Sequence, residues 1–323
     1  MDVSVIICTY DRCQSLQATL ESLLLLKVPE GLAWEVLVVD NNSTDQTKTV
    51  VEEFAAKAPF CVTRIFETEP GLSEARNAGL RHAKGEIISF LDDDVLVFPD
   101  WLAEVRNGFA LVGTACLGGK ALLPPGLKFP RWWDHSYDGP IGNCDLGDEI
   151  QTSESKNLNI IGANLSFRRI VFEKLGFFSS NVGRKGTSLS MGEETEFISR
   201  LQTQGLLAGY YPRAAVYHVP DPNRMTISYL SRWHYRRGEW EWYTNKDRPQ
   251  SRGMVFWFGA PRWLYGAALQ TMLRTCINAL AFRIRKALYL HFQVCFYVGY
   301  LIAYFRFRRQ RLVHPVAGVE ISW

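Results

Sequence analysis

Ile87-Ile88-Ser89-Phe90-Leu91-Asp92-Asp93-Asp94 is an apolar run that stops in three carboxylates. Buried strands of parallel sheets read as nearly continuous apolar runs. In open α/β sheets, ligands sit beyond the carboxyl ends of the strands. Three adjacent acids repel one another unless a positive charge relieves them. A hard divalent cation carrying a diphosphate, Mg²⁺ or Mn²⁺, meets that need with a few carboxylates plus phosphate oxygens. The alternative is a solvated acidic loop leading into a helix that starts near Pro99 or Asp100.

Upstream of this run, strand and helix patterns alternate. Val3–Cys8 reads as a strand and Cys13–Leu26 as a helix with Leu16, Leu20, Leu23 and Leu24 at helical spacing. Trp34–Val39 is the second strand, and Ser43 or Thr44 is placed to cap a helix ending near Lys57. Cys61–Phe66 is the third strand, Glu74–Ala83 a helix, and Glu86–Leu91 the fourth strand, reaching the acids. This order predicts an α/β fold, a mainly parallel central sheet flanked by helices. Strands running one way bring Asp40 and Asp92–Asp94 to one sheet edge. There Asp40 is either an acceptor for a nucleotide base or ribose, or a turn residue preparing the Ser43 cap. A GxGxxG is missing between the first strand and helix, which argues against a dinucleotide fold.

Four stretches together carry a resemblance: Val5-Ile6-Ile7-Cys8-Thr9-Tyr10-Asp11-Arg12, Val38-Val39-Asp40-Asn41-Asn42-Ser43-Thr44-Asp45, Gly71-Leu72-Ser73-Glu74-Ala75-Arg76-Asn77-Ala78-Gly79 and Phe90-Leu91-Asp92-Asp93-Asp94. In order and spacing, across the first hundred residues, the chain resembles the family 2 glycosyltransferases of the GT-A fold. The resemblance implies a nucleotide-sugar site, with a UDP-sugar as the first choice of donor and GDP- or dTDP-sugars as alternatives. It implies that Asp40 meets the base and that Arg76 lies near the phosphates or base. Asp92 and Asp94 form the DxD-type pair, Asp94 being the direct metal ligand. Thr9, Tyr10, Arg12, Asp93, Gly162, Asn164 and Glu193 fall on the donor-binding side. Gly162-Ala163-Asn164 resembles a small-residue passage that lets backbone approach the donor sugar. Gly192-Glu193-Glu194-Thr195-Glu196 carries the implied base for inverting transfer. The family often has Glu-Asp there, so Glu194 stands in the place of the Asp. His218 is either a third metal ligand or a structural histidine in an apolar strand.

The second half of this expected catalytic domain, residues 1–223, has a different texture. Pro99–Val112 reads as a helix and Thr114–Leu122 as a strand, followed by irregular chain over 123–156. Trp132-Trp133 suits sugar stacking, lipid contact or a packed loop anchor. Asn157–Ile161 is expected as a strand, Ile170–Leu175 as a helix and 179–191 as a flexible loop. Leu206–Tyr211 and Ala214–Val219 read as two short closing strands.

The chain has 323 residues and a net charge of +3 that hides an asymmetry. Residues 1–223 carry 20 basic and 29 acidic side chains, and residues 224–323 carry 16 and 4. The last third also holds six of the ten tryptophans. Trp and Tyr beside Arg and Lys favour a membrane surface over nucleic acid. Met225–Tyr243 reads as a helix, 254–282 as apolar but interrupted, and Ala287–Phe305 as an uncharged run near bilayer-spanning length. Residues 224–323 are therefore expected to form a basic, aromatic, membrane-associating helical region, contacting the membrane through 224–311. Two interfacial helices fit as well as one spanning helix, and a buried hairpin or an oligomer interface is the soluble alternative. Seven cysteines without a CxxC pair read as buried free thiols in a reducing compartment. The amino terminus reads as a strand, not a signal peptide. The whole points to a metal-dependent inverting transferase acting on a glycan or lipid-linked acceptor at the cytoplasmic face of the plasma membrane. A nucleotidyltransferase and a non-catalytic membrane-anchored nucleotide-binding module are the alternatives.

Overall fold

The computed structural model describes residues 1–154, 158–180, 192–245, 256–257 and 260–313. The chain forms two compact units. One comprises Met1–Lys128 with Ile141–Asp221, the other Phe129–Pro140 with the chain from Pro222 onward.

In the first unit the elements are β1 (Val3–Thr9), α1 (Cys13–Leu23), β2 (Trp34–Asp40), α2 (Thr47–Lys57), β3 (Cys61–Phe66), α3 (Leu72–His82) and β4 (Ile87–Asp92). Then follow β5 (Val95–Val97), α4 (Trp101–Val112), β6 (Cys116–Leu122), β7 (Gln151–Thr152), β8 (Asn164–Arg168), α5 (Ile170–Leu175), α6 (Glu193–Thr203) and β9 (Ala208–His218). The sheet order is β3-β2-β1-β4-β8-β6-β9-β5, with β7 pairing beside β9. The first four strands in that order are parallel. Beyond β4 the sheet is mixed, with β8 antiparallel to β4 and β6, and β9 parallel to β6.

Alternate side chains of a strand point to opposite faces, and β1 uses both. Val3, Val5 and Ile7 pack with Leu16 and Leu20 of α1, while Ile6 joins Ala75 and Ala78 of α3. That two-sided burial explains why the strand is apolar throughout. The second face continues into a phenylalanine cluster, in which Phe167 lies 5.3 Å edge-on to Phe197 and Phe178 lies 5.5 Å from Phe90.

Several expected boundaries move. The strand expected over Asn157–Ile161 forms instead at Asn164–Arg168, after the small residues rather than before them; Asn157 itself lies outside the described residues. The two closing strands are one, β9, whose register against β6 shifts between Gly119 and Lys120. Neither Ser43 nor Thr44 caps α2. Asp45 Oδ1 accepts from the Thr47 amide at 3.0 Å and from its hydroxyl at 2.5 Å. Most of the expected loop 179–191, namely 181–191, lies outside the described residues.

The second unit is helical: α7 (Ile227–Asn245), α8 (Arg262–Leu280) and α9 (Ile284–Val313). A Cβ on Gly238 would fall 2.0 Å from the Phe296 carbonyl oxygen, and one on Gly299 1.9 Å from that of Tyr235. Small residues thus let the backbones of α7 and α9 approach closely. Trp133 is buried; its Nε1 donates to Asp138 at 2.8 Å and its ring stacks on Phe129. Of the three roles open to this tryptophan in the sequence, the loop anchor is the one its packing fits.

Candidate active site

Strand register assembles the site. Thr9 is level with Asp40 across β1–β2, and Cys8 with Asp92 across β1–β4. Three strand ends therefore meet at one sheet edge, as parallel alignment requires. The acids do not lead directly into α4. Asp93 and Asp94 form a turn from β4 into β5, which pairs antiparallel with β9 and sets Val95 opposite His218. The Val219 amide donates to the Asp94 carbonyl at 2.8 Å. That short strand pair is what carries His218 to the acidic turn.

Asp93 and Asp94 are buried and Asp92 is half-buried. His218 Nε2 lies 3.2 Å from Asp94 Oδ1. Arg12 bridges the turn, Nη1 donating to Asp93 Oδ1 at 2.5 Å and Nη2 to Asp94 Oδ2 at 2.8 Å. The Thr9 hydroxyl donates to Asp93 Oδ2 at 2.7 Å. Burial pushes the Asp93 carboxyl up to about 7; Arg12 and Thr9 pull it down, and Asp94 adds to the rise. Cys8, whose thiol burial raises to about 12, has no nucleophilic use here.

One ligand atom each from Asp92, Asp94 and His218 lie within 4.8 Å of one another. Two carboxylates and an imidazole form a donor set that Mn²⁺ accepts readily and Mg²⁺ accepts through its oxygens. The residues present therefore fit a divalent cation. Gly142, which the sequence did not single out, supports the imidazole. Its φ is +94°, and a Cβ there would lie 2.5 Å from His218 Nδ1 and Cε1. Only glycine satisfies both demands.

Asp40, at the end of β2, is buried and already engaged. Arg64 of β3 donates to its Oδ2 from Nε at 3.0 Å and from Nη2 at 2.5 Å, while the Ser43 amide donates to Oδ1 at 2.9 Å. Arg64 was not anticipated, because cross-strand register is invisible in one sequence. Tyr10 is exposed. Asp11, at φ +49°, ties this loop to the next by accepting from the Thr44 amide at 2.6 Å.

Arg76 of α3 is buried between Phe90 and Phe178, its guanidinium 5.6 and 5.5 Å from their ring centres. Nη1 lies 3.4 Å from Glu193 Oε1 and 3.7 Å from Glu194 Oε2. These two acids open α6, where a helix N-terminus favours negative charge. The Gly162 amide donates to Glu194 Oε1 at 3.3 Å, and a Cβ on Gly162 would fall 2.5 Å from Arg76 Nη2. Asn164 is spent on structure. Its Oδ1 accepts from Trp101 Nε1 at 3.0 Å, and its Nδ2 donates to the carbonyls of Ala214 at 2.8 Å and Lys120 at 3.1 Å. Only backbone is left for any contact between Asn164 and a ligand.

Two groups result: Thr9, Arg12, Asp92–Asp94 and His218 around the acidic turn, and Arg76, Gly162, Glu193 and Glu194 beside it, Asp92 being close enough to Arg76 to act on its charge. Residues 4–176 match the model of the family described as glycosyl transferase family 2. The chain is 28% identical over 242 residues to the succinoglycan biosynthesis protein ExoM of Rhizobium meliloti, covering 74% of each chain. It is 27% identical over 250 residues to the glucosyl-dolichyl phosphate glucuronosyltransferase of Haloferax volcanii, covering 76% of this chain and 77% of that one. Among solved structures it is similar to a Pyrobaculum calidifontis mannosyltransferase in complex with GDP-Man and Mn²⁺. There the TM-score is 0.57 at 22% identity, over 98% of this chain and 76% of that one. That level of likeness speaks for a shared fold.

Proposed function

The chain belongs to glycosyl transferase family 2, and from that premise we propose that it is a metal-dependent inverting transferase moving a sugar from a nucleotide donor to a glycan or lipid-linked hydroxyl. The observation that carries this reading is the convergence of Asp92, Asp94 and His218 at the sheet edge where β1 and β2 also end. In this reading the three residues would hold Mn²⁺ or Mg²⁺, which would supply charge neutralisation to the departing diphosphate. Thr9, Tyr10, Asp40 and Arg64 face the base and ribose, with Arg64 fixing the Asp40 carboxylate. Arg12 and Asp93 border the diphosphate, and the Gly162 backbone borders the sugar. Glu194 takes the proton of the acceptor hydroxyl as that oxygen bonds to C1 and the bond from C1 to the diphosphate breaks. Arg76, itself paired with Glu193, and the Gly162 amide hold Glu194 in place. The names of the two relatives favour a growing polysaccharide or a polyprenyl-linked sugar as acceptor, and the mannosyltransferase solved with GDP-Man favours a nucleoside diphosphate sugar as donor.

The helical unit supports contact with a membrane, and the reading puts the transferase at the cytoplasmic face because nucleotide sugars are made there. One described helix is long and apolar enough to cross a membrane, Ile284–Arg306, and only 17% of its apolar window is buried in the molecule. A core helix of a soluble protein would be mostly covered. Along α8 and the turn after it, Trp263, Leu269, Leu273, Leu280 and Phe282 are exposed, Phe282 to 88%. Residues 248–319 contain basic side chains and no acidic one. Apolar surface flanked by Arg and Lys matches an anionic bilayer, and pairing with a second copy of the chain is the other way to cover it.

Calorimetric titration of the detergent-purified protein with UDP and GDP, with and without Mn²⁺, tests the donor site. Metal-dependent binding of one nucleotide is expected, and Glu194→Gln is expected to keep that binding while losing transfer. Equal loss of both would give Glu194 a structural role. Nucleotide binding that ignores EDTA would remove the metal from the reading.

A further inference from the structure

We propose that Arg12 is the resident counter-cation of the acidic turn, released by the donor diphosphate, so that the divalent cation binds well only together with the donor. This rests on the metal and donor site proposed above and concerns the order in which that site fills.

Each carboxylate oxygen of Asp94 has a nitrogen close to it. Arg12 Nη2 holds Oδ2 at 2.8 Å, and His218 Nε2 faces Oδ1 at 3.2 Å. The other arm of the same guanidinium holds Asp93. A planar fork that spans two carboxylates is a specific, charge-assisted contact that a point charge would not reproduce. It places a positive charge on one of the ligands a metal needs. A divalent cation arriving alone must therefore meet a like charge on Asp94, or displace a hydrogen-bonded arginine from it.

Arg12 is built to leave. Its side chain keeps 29% of its surface exposed, against 6% and 1% for the side chains of Asp93 and Asp94. The acids are fixed in their turn, Asp93 by the Thr9 hydroxyl and Asp94 through its carbonyl, which accepts from the Val219 amide just after β9. The backbone carrying Arg12 is fixed as well, because Asp11 is tied to the Thr44 amide and to the Ser43 hydroxyl, and Cys13 N donates to Asp45 at 2.9 Å. The movable part is the arginine stem. A diphosphate offers the same fork an anionic partner of matching geometry. Once the fork turns to it, Asp94 is relieved of the competing charge. Metal and nucleotide then each favour the other's binding, a coupling that linkage makes reciprocal.

The test measures Mn²⁺ affinity by calorimetry and by the electron spin resonance of free Mn²⁺, for wild type and Arg12→Gln, with and without UDP or GDP. Without nucleotide, Arg12→Gln is expected to bind Mn²⁺ about tenfold more tightly than wild type, within the usual range of site-to-site coupling. With nucleotide, that advantage disappears, and the nucleotide itself binds the variant more weakly. Effects of opposite sign are the signature, since a merely structural arginine would weaken both. Arg12→Lys, which keeps the charge but not the fork, should retain part of the coupling; it also serves if Arg12→Gln does not fold. Weaker Mn²⁺ binding by folded Arg12→Gln without nucleotide, or unchanged coupling, overturns the proposal. Failure of wild type and variant alike to bind Mn²⁺, with either nucleotide present, overturns the metal site itself and this inference with it.

Discussion

Replacing Arg76 by methionine removes a charge from the protein interior while keeping an apolar stem between Phe90 and Phe178. The contacts to Glu193 and Glu194, at 3.4 and 3.7 Å, each correspond to about 4–5 kcal/mol of attraction at an effective dielectric near 20. Desolvation of the guanidinium offsets much of that sum. Breaking a buried pair by deleting one partner typically costs about 3–5 kcal/mol, because the other charge stays behind uncompensated. The Glu194 side chain keeps 21% of its surface exposed, so water relieves part of the loss and the expected cost is near the lower end, about 3 kcal/mol. That is a large share of the 5–15 kcal/mol that holds an ordinary domain together. Urea denaturation at constant slope measures it. The same change takes a cation away from the proposed base, so the acid limb of the pH–rate profile should move to higher pH. Arg76→Lys should restore part of both. A stability loss below about 1 kcal/mol would refute the buried-pair reasoning, as typical surface substitutions stay within that size. A full stability loss with an unmoved acid limb would refute the link to Glu194.

Gly142→Ala should weaken Mn²⁺ binding and lower stability by about 1–3 kcal/mol, because it combines an unfavourable φ with a Cβ driven into the His218 ring; unchanged metal affinity would mean that the ring does not need that support. Gly162→Ala should cut transfer far more than nucleotide binding, since the added Cβ separates Arg76 from Glu194, and kcat against Kd for the nucleotide decides it. Burial alone would raise the Asp45 carboxyl, but hydrogen bonds from the Thr47 hydroxyl and from the Cys13 and Thr47 amides outweigh it and hold the carboxyl below its ordinary 3.8. A depressed carboxylate stabilises the fold above its unfolded pKa, and that stabilisation fades as pH falls through the folded value. Asp45 is exposed, so solvent screening trims the effect. Asp45→Ala should thus cost about 0.5 kcal/mol at pH 7, and the gap from wild type should close below pH 3.8; a gap that persists in acid would show that the effect is not electrostatic.

The half of the fold that alternates strand and helix was legible because burial on both faces writes long apolar runs. Cys61–Phe66 and Ile170–Leu175 have the bounds that their residue patterns predict. Elsewhere the signal failed for identifiable reasons. Val95-Leu96-Val97 is too short to show any period, yet its pairing with β9 is what brings His218 to Asp94. Asn157–Ile161 reads as a strand running into Gly162-Ala163, whereas the strand follows these small residues. The engagement of Asp40 by Arg64 depends on the register of β2 against β3, and that of Arg76 with α6 joins residues more than a hundred positions apart. Residue types could nominate the members of the site, but not their partners.

The pairing of β5 with β9 also has a meaning in time. Asp92 and Asp94 leave the ribosome early, while His218 is made 124 residues after Asp94 and closes the sheet. A nascent chain that has formed only the parallel strands β1 to β4 displays the acids without the imidazole. Domains generally fold as units during synthesis, so the three-ligand pocket is a product of completing the first unit. On the proposed reading, an unfinished chain would have little hold on a divalent cation, and occupancy of that site would report that β9 has docked.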